Sequence, residues 1–248
     1  MTISAIEGLR ADREAILGVC GALSPADWSA ESGCAGWTVQ DVVAHVGGLF
    51  WAVVDPSTLP DTSELPTERA QDAIVENRRS MSSEQVLSDY ETVSIKALDA
   101  LAGLVGQDFE VPLGDLGTYP ADSLASAFAF DHFVHIRSDL FAPRGPLHGE
   151  PPPADELRVA PALDWVAAAL PQQNAGAIAS LTHAVRIELS GPGARSIVVG
   201  AGEPAGRVQS DTPSFLRWVT QRATWAESGA TASGNEADLS VVAALRVF

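Results

Sequence analysis

The stretch Leu124-Ala125-Ser126-Ala127-Phe128-Ala129-Phe130-Asp131-His132-Phe133-Val134-His135 decides the fold. Leu124, Phe128, Asp131 and His135 recur at i, i+4, i+7 and i+11, which is one stripe of an α-helix expected from about Ala121 to Phe141. A carboxylate and an imidazole on a stripe that otherwise reads as core need a reason to be there. An unpaired buried carboxylate costs several kcal/mol, so Asp131 must be paired or face a cation.

The same 3.6-residue rhythm runs through the preceding chain. Ile6, Leu9, Ile16, Leu17, Cys20 and Leu23 mark a helix over 4–23, and Ser24-Pro25 opens a short one ending near Trp28. Thr38-Val39-Gln40-Asp41 reads as a capping box starting a helix over 39–54, whose apolar face carries Val42, Val46, Leu49 and Val53. Further helices are expected from Thr67 to about Met81 and from Ser82 to about Val105, with a glycine-containing segment from Gly106 to Tyr119 before the last one. Four of these helices suffice for a bundle with room for a site between facing side chains.

Prolines between Pro143 and Pro153 remove backbone donors and mark a linker, which divides the chain into a helical bundle over 1–143 and a second unit over 154–248. In the second unit His183, Val185, Ile187 and Leu189 alternate with Arg186 and Glu188, the pattern of a half-buried strand. Gly191-Pro192-Gly193 turns it into a partner strand near Ser196 to Gly200. A helix around 155–170, one capped by Asp211 and one capped by Asn235 complete an α+β unit.

Composition narrows the function. The 248 residues are 46% hydrophobic and 19% charged, as expected of ordinary globular domains. With 32 acidic against 15 basic residues the formal charge is −17, and the cations are scattered, so a nucleic-acid partner is not expected. No apolar run reaches the length of a membrane span and no signal-peptide pattern opens the chain, so the expectation is a cytoplasmic protein with no membrane partner. Cys20 and Cys34, the two cysteines, lack the spacing of a disulfide scaffold or an all-sulfur zinc site.

His45 lies between Val42 and Leu49 on the buried stripe of its helix, so it points into the same core as Asp131 and His135. Two imidazoles and one carboxylate can bind a divalent metal and leave a coordination position for water or substrate. The spacing equally allows a hydrogen-bonded core histidine beside a helix ion pair. His132 is the second-ranked ligand, Asp139 could hold the His135 imidazole from behind or equally be a solvated surface acid, and His148 and His183 read as structural or exposed. Cys34 precedes the Gly36-Trp37 turn into the His45 helix and could approach the site, but with no histidine or lysine near it in sequence to activate it, it reads rather as a small buried thiol. Trp37, Trp51 and Phe128 could line a pocket or simply fill the core.

The segment from Leu9 to Leu49, with Ala22-Leu23-Ser24-Pro25-Ala26-Asp27-Trp28 and then Cys34-Ala35-Gly36-Trp37-Thr38-Val39-Gln40-Asp41-Val42-Val43-Ala44-His45, resembles the N-terminal region of the mycothiol-dependent maleylpyruvate isomerase family, part of the DinB-like metal-binding superfamily. The resemblance implies an α-helical DinB-like four-helix bundle followed by a small α+β C-terminal domain of sterol-carrier-like shape. It implies a divalent metal, usually zinc, on the positions matching His45, Asp131 and His135, with a glutamate in the isomerase where this chain has Asp131. It implies mycothiol as cosubstrate, a small electrophilic substrate, and an arginine of the C-terminal domain at the thiol, for which Arg222 is the candidate catalytic residue, preceded by Gln221 where a glycine is common. In the isomerase a thiolate adds to a conjugated cis double bond, rotation follows, and elimination gives the trans product; in S-transferase relatives the thiol stays on the electrophile. The superfamily includes monomers and dimers, so a homodimer is compatible with it. The alternative is a non-catalytic metal-stabilised or small-ligand-binding module, which a filled coordination sphere without solvent access would favour.

Overall fold

The computed structural model describes residues 2–248. Helix α1 spans Thr2–Cys20 and buries Ile6, Leu9, Ile16 and Cys20. Ser24 caps the short α2 (Pro25–Ser29). Helix α3 (Val39–Val54) begins at the expected capping box: Asp41 N–H donates to Thr38 Oγ1 at 3.2 Å and Thr38 N–H to Asp41 Oδ2 at 2.9 Å, so two orphan donors are satisfied reciprocally. It is buried nearly all round, through Val39, Val42, Val43, Val46 and Phe50, because it is the central helix of the bundle.

Helix α4 (Thr67–Arg78) is peripheral and lies on α3 through Ile74 and Val75. A second capping box, Ser82 with Gln85, starts α5 (Ser83–Gly103), which packs on α1 and α3. Residues 106–119 include the two short strands β1 (Glu110–Pro112) and β2 (Thr118–Pro120), an antiparallel pair. Helix α6 covers Leu124–Val134, and its last stretch, His135–Leu140, widens into a π turn. Helices α1, α3, α5 and α6 form the four-helix bundle.

The second unit begins with α7 (Glu156–Gln173) and the short α8 (Ala175–Ala179). Strands β3 (Ala184–Ser190), β4 (Ser196–Val199) and β5 (Pro204–Asp211), helix α9 (Thr212–Val219), strand β6 (Thr231–Ser233) and helix α10 (Glu236–Ala243) follow. The sheet order is β4-β3-β5-β6, with β3 and β4 antiparallel as the alternation and turn predict. Its parallel β3–β5 pair, with Ile187 opposite Val208, was not expected from the sequence. Val185, Ile187, Leu189 and Val208 face a core shared with Phe215, Trp218 and Val242. No helix among the described residues is long and apolar enough to cross a membrane.

Helix α6 is what joins the two units. Ala125, Ala129, Ile136 and Leu140 enter the bundle core, whereas Phe130, Phe133 and Val134 enter the core of the sheet-containing unit. Helix α7 lies against both α1 and α6, and it comes so near α1 that a Cβ on Gly8 would sit 2.5 Å from the Leu157 carbonyl oxygen. The polar link between these three helices is Asp12, 1% exposed, whose carboxylate accepts a hydrogen bond from Arg137 Nη2 at 2.7 Å and forms an ion pair with Arg158, Nε standing 3.1 Å away. Arg137 also donates to the carbonyls of Pro152 (3.1 Å) and Pro153 (2.8 Å), which pins the proline-rich linker to the end of α6.

Removing one partner of a buried ion cluster leaves its cations uncompensated, at a cost of about 3–5 kcal/mol. Asp12→Ala is therefore expected to lower the urea midpoint by that equivalent, and to lose much of the effect in an Arg137→Met background, where there is less charge to strand.

Candidate metal centre

His45 is the seventh residue of α3 and is held from the side by Trp37, whose ring centroid lies 5.0 Å away and whose indole N–H donates to Asp72 at 3.2 Å. Asp131 lies one turn before the end of α6, and His135 is the first residue of the π turn. The structure brings the three expected ligands together. His45 Nε2 and His135 Nε2 each stand 3.4 Å from the same oxygen, Asp131 Oδ1, and the two imidazoles meet edge to face with centroids 4.9 Å apart.

These distances are long for N–H···O bonds, which cluster near 2.9–3.0 Å. They suit atoms that share a partner: bonds of about 2.0–2.2 Å place the ligands of a tetrahedral zinc roughly 3.3–3.6 Å apart. Asp131 Oδ2 and His45 Nδ1 are buried without a hydrogen-bond partner, and the three ligating atoms lie within 4.8 Å of one another. The donor set of two imidazoles and a carboxylate therefore fits a divalent cation. The Asp131 side chain is 23% exposed, while both imidazoles are buried.

Electrostatics within the cluster are strongly coupled. Burial alone would raise the Asp131 carboxyl, but the His135 and His45 imidazoles outweigh it and hold it well below the usual carboxylate range. Burial would likewise favour neutral His135, yet Asp131 and Asp139 outweigh that and raise its pKa well above the ordinary histidine value.

Of the two readings of Asp139, the structure excludes the surface acid. The residue is fully buried, and His135 Nδ1–H donates to its Oδ2 at 2.9 Å, which leaves Nε2 as the nitrogen facing Asp131. The same Oδ2 accepts from Arg222 Nε at 2.8 Å and Nη2 at 2.6 Å, and Arg144 Nε stands 3.6 Å from Oδ1. Burial would raise the Asp139 carboxyl, but His135 and Arg222 together keep it well below its ordinary value. Arg222 thus arrives from the second unit, 83 residues along the chain, at the far side of His135. It is delivered by a tight turn after α9, in which the amides of Arg222 and Ala223 both donate to the Arg217 carbonyl (2.7 and 3.0 Å) while Gln221 takes a left-handed φ of 57°.

The loop before Trp37 closes the group. Gly33 N–H donates to the Asp139 carbonyl at 2.8 Å, and a Cβ on Gly33 would sit 2.8 Å from Asp139 Oδ1, so glycine is what lets the loop approach. Cys34 is consequently half-buried, with Sγ 3.7 Å from His135 Nδ1, and not the enclosed core thiol expected from the sequence. Neither neighbour is close to Cys34 in sequence, which is why this contact leaves no sequence signal.

The other candidates fall outside the cluster. His132, one residue and 100° around the helix from Asp131, donates through Nδ1 to the Phe128 carbonyl at 2.9 Å and is buried between Phe50 and Tyr90. Burial pushes its pKa down to about 4, and it is a core histidine, not a second-ranked ligand. Trp51 donates to Asp89 and Phe128 stacks on Phe50, whereas Trp37 does flank the cluster. His148 is exposed in the linker, and His183 pairs with Asp238 at 3.1 Å, far along the chain from any ligand.

Bundle, cluster and appended sheet together define a DinB-like helical protein with a carboxylate and two imidazoles at its centre. Residues 9–140, just over half of the chain, match the family model of the mycothiol maleylpyruvate isomerase N-terminal domain, and the chain belongs to the mycothiol-dependent maleylpyruvate isomerase family. No curated protein matches the sequence. Among solved structures, the fold is similar to the crystal structure of the mycothiol-dependent maleylpyruvate isomerase, at a TM-score of 0.62 and 16% identity over 95% of this chain and 94% of that one. A mutant of that isomerase with a histidine replaced by alanine superimposes with a TM-score of 0.60, at the same identity and coverage.

The turn that presents Arg222 generates a prediction. A non-glycine residue in the left-handed region costs roughly 1–2 kcal/mol, partly offset for glycine by its greater freedom when unfolded. Gln221→Gly is expected to raise the unfolding free energy by roughly 0.5–1 kcal/mol in urea titration, with metal content unchanged.

Proposed function

We propose that this protein is a thiol-dependent isomerase whose cosubstrate is mycothiol and whose substrate is a small electrophile with a conjugated cis double bond. The observation that carries the reading is the convergence of His45 Nε2, Asp131 Oδ1 and His135 Nε2 on one point. Family membership supports the thiol-dependent class of activity.

The residues that would hold a divalent cation, zinc by the nature of the donors, are His45, Asp131 and His135. Bound there, it lowers the pKa of a thiol brought to it, supplying a nucleophile at neutral pH. The chain's own side chains do the positioning. Asp139 keeps the proton of His135 on Nδ1, so that Nε2 stays a lone-pair donor. Trp37 closes one side of His45. Arg222 belongs to the site through Asp139. Addition of the thiol, rotation about the former double bond and elimination of the thiol return the cosubstrate unchanged; retention of the thiol on the electrophile would make the same site a transferase. Three protein ligands, one short of a closed tetrahedral set, favour the enzyme over a metal-stabilised binding module.

Metal analysis followed by calorimetry with mycothiol and a control thiol tests this. The wild-type protein is expected to carry about one divalent metal and to bind mycothiol only when loaded, and to isomerise maleylpyruvate in its presence. His45→Ala should lower metal affinity by at least ~100-fold, since even an outer-shell change costs 10–100-fold, and should remove the activity. A folded wild-type protein that takes up no metal, or a loaded one indifferent to thiol, would sink the reading.

A further inference from the structure

Two sets of ligating side chains share one imidazole. His45, Asp131 and His135 form the set described above; Cys34, His135 and Asp139 form a second, with their ligating atoms also within 4.8 Å of one another. The first uses His135 Nε2, while Cys34 Sγ and Asp139 Oδ2 lie 3.7 and 2.9 Å from Nδ1. A neutral imidazole has one N–H and one lone pair, so whichever nitrogen carries the proton decides which set can receive a cation.

We propose that Arg222 is a positioning residue that selects the first set and closes the second, by fixing Asp139 Oδ2 against His135 Nδ1. The inference rests on the reading that the first set binds a divalent cation.

Asp139 has no water to stabilise its charge, and three N–H donors converge on Oδ2: two from Arg222, at 2.6 and 2.8 Å, and one from His135, at 2.9 Å. The third guanidinium nitrogen, Nη1, is directed to the Thr220 carbonyl at 3.4 Å, so every nitrogen of Arg222 is engaged inside the protein. With Arg222 in place, the Asp139 charge is already neutralised, and a cation entering beside Cys34 would meet a guanidinium. Without it, Asp139 keeps only the more distant Arg144, 3.6 Å from Oδ1, and a buried carboxylate, an imidazole and a thiol remain side by side. That trio then has the charge to attract a metal and a soft sulfur donor to hold it. Lysine would not substitute, because a single ammonium cannot reproduce the two parallel N–H bonds from Nε and Nη2.

Arg222 stands on the turn after α9, while every ligand of both sets stands on the bundle or its loop. The second unit thus takes part in the metal centre without supplying a ligand.

Cobalt(II) titration of the intact protein, followed by absorbance, tests the selection without reference to turnover. Wild type is expected to give ligand-field bands with no sulfur-to-cobalt charge-transfer band. Arg222→Gln is expected to bind cobalt roughly 10–100-fold more weakly at the first set and to develop the charge-transfer band, which Cys34→Ser in the same chain removes. Arg222→Lys should behave like Arg222→Gln. If Arg222→Gln does not fold by circular dichroism, Arg222→Lys, which keeps a cation on the turn but not the two guanidinium N–H donors, carries the expectation alone. Unchanged affinity and spectrum in the folded variants overturn the proposal while leaving the metal centre standing. A charge-transfer band already present in wild type also overturns it. A wild type that binds no cobalt overturns both the proposal and the function it rests on.

Discussion

A carboxylate sealed from water survives as an anion only while its cationic and N–H partners stay in place, and Asp139 is such a group. One of its oxygens gathers His135 from its own helix and Arg222 from the other half of the chain, while its backbone carbonyl holds Gly33. The loop carrying Cys34, the π turn and the turn after α9 are therefore positioned against one another through a single residue. Asp12 does similar work one helix away, joining α1, α6 and α7 through two arginines. Neither site is a surface ion pair of the kind that contributes little; both are enclosed, so their geometry is demanding and their disruption is expensive.

The cluster of His45, Asp131 and His135 is assembled with modest means. Two helices present three side chains at ordinary helical spacing, and the third dimension comes from the packing of α3 against α6 and its π turn. The remaining orientation comes from outside the cluster, with Trp37 against one imidazole and Asp139 behind the other. This division of labour, in which the ligands sit on packed helices and the ring of His135 is oriented by a neighbour, is what keeps a small site in register.

What could be read from the sequence is what is local. The Thr38 capping box, the stripe of Leu124, Phe128, Asp131 and His135, and the i+4 placement of Asp139 all depend on residues within three turns of each other, and all are found. His132 misled because adjacency in sequence is not adjacency on a helix: one residue of rotation carries it into the aromatic core. Cys34 and Arg222 meet His135 and Asp139 across 101 and 83 residues, and no periodicity reports such encounters. Strand β5 escaped notice because Ala205-Gly206-Arg207-Val208-Gln209-Ser210 buries glycine and serine on its inner face alongside one valine, too little apolar alternation to signal a strand.

The π turn at His135–Leu140 bears on how this chain can change over time. Such a turn holds about one residue more than an α-turn closing the same path, at some cost in hydrogen-bond geometry. Deleting a single residue between His135 and Asp139 would let the helix relax to its preferred winding, yet it would swing Asp139 by about 100° away from the imidazole. The more comfortable helix would be the one that had lost its grip on the ligand, so the irregular turn is a length that stability alone would discard and only the site can retain.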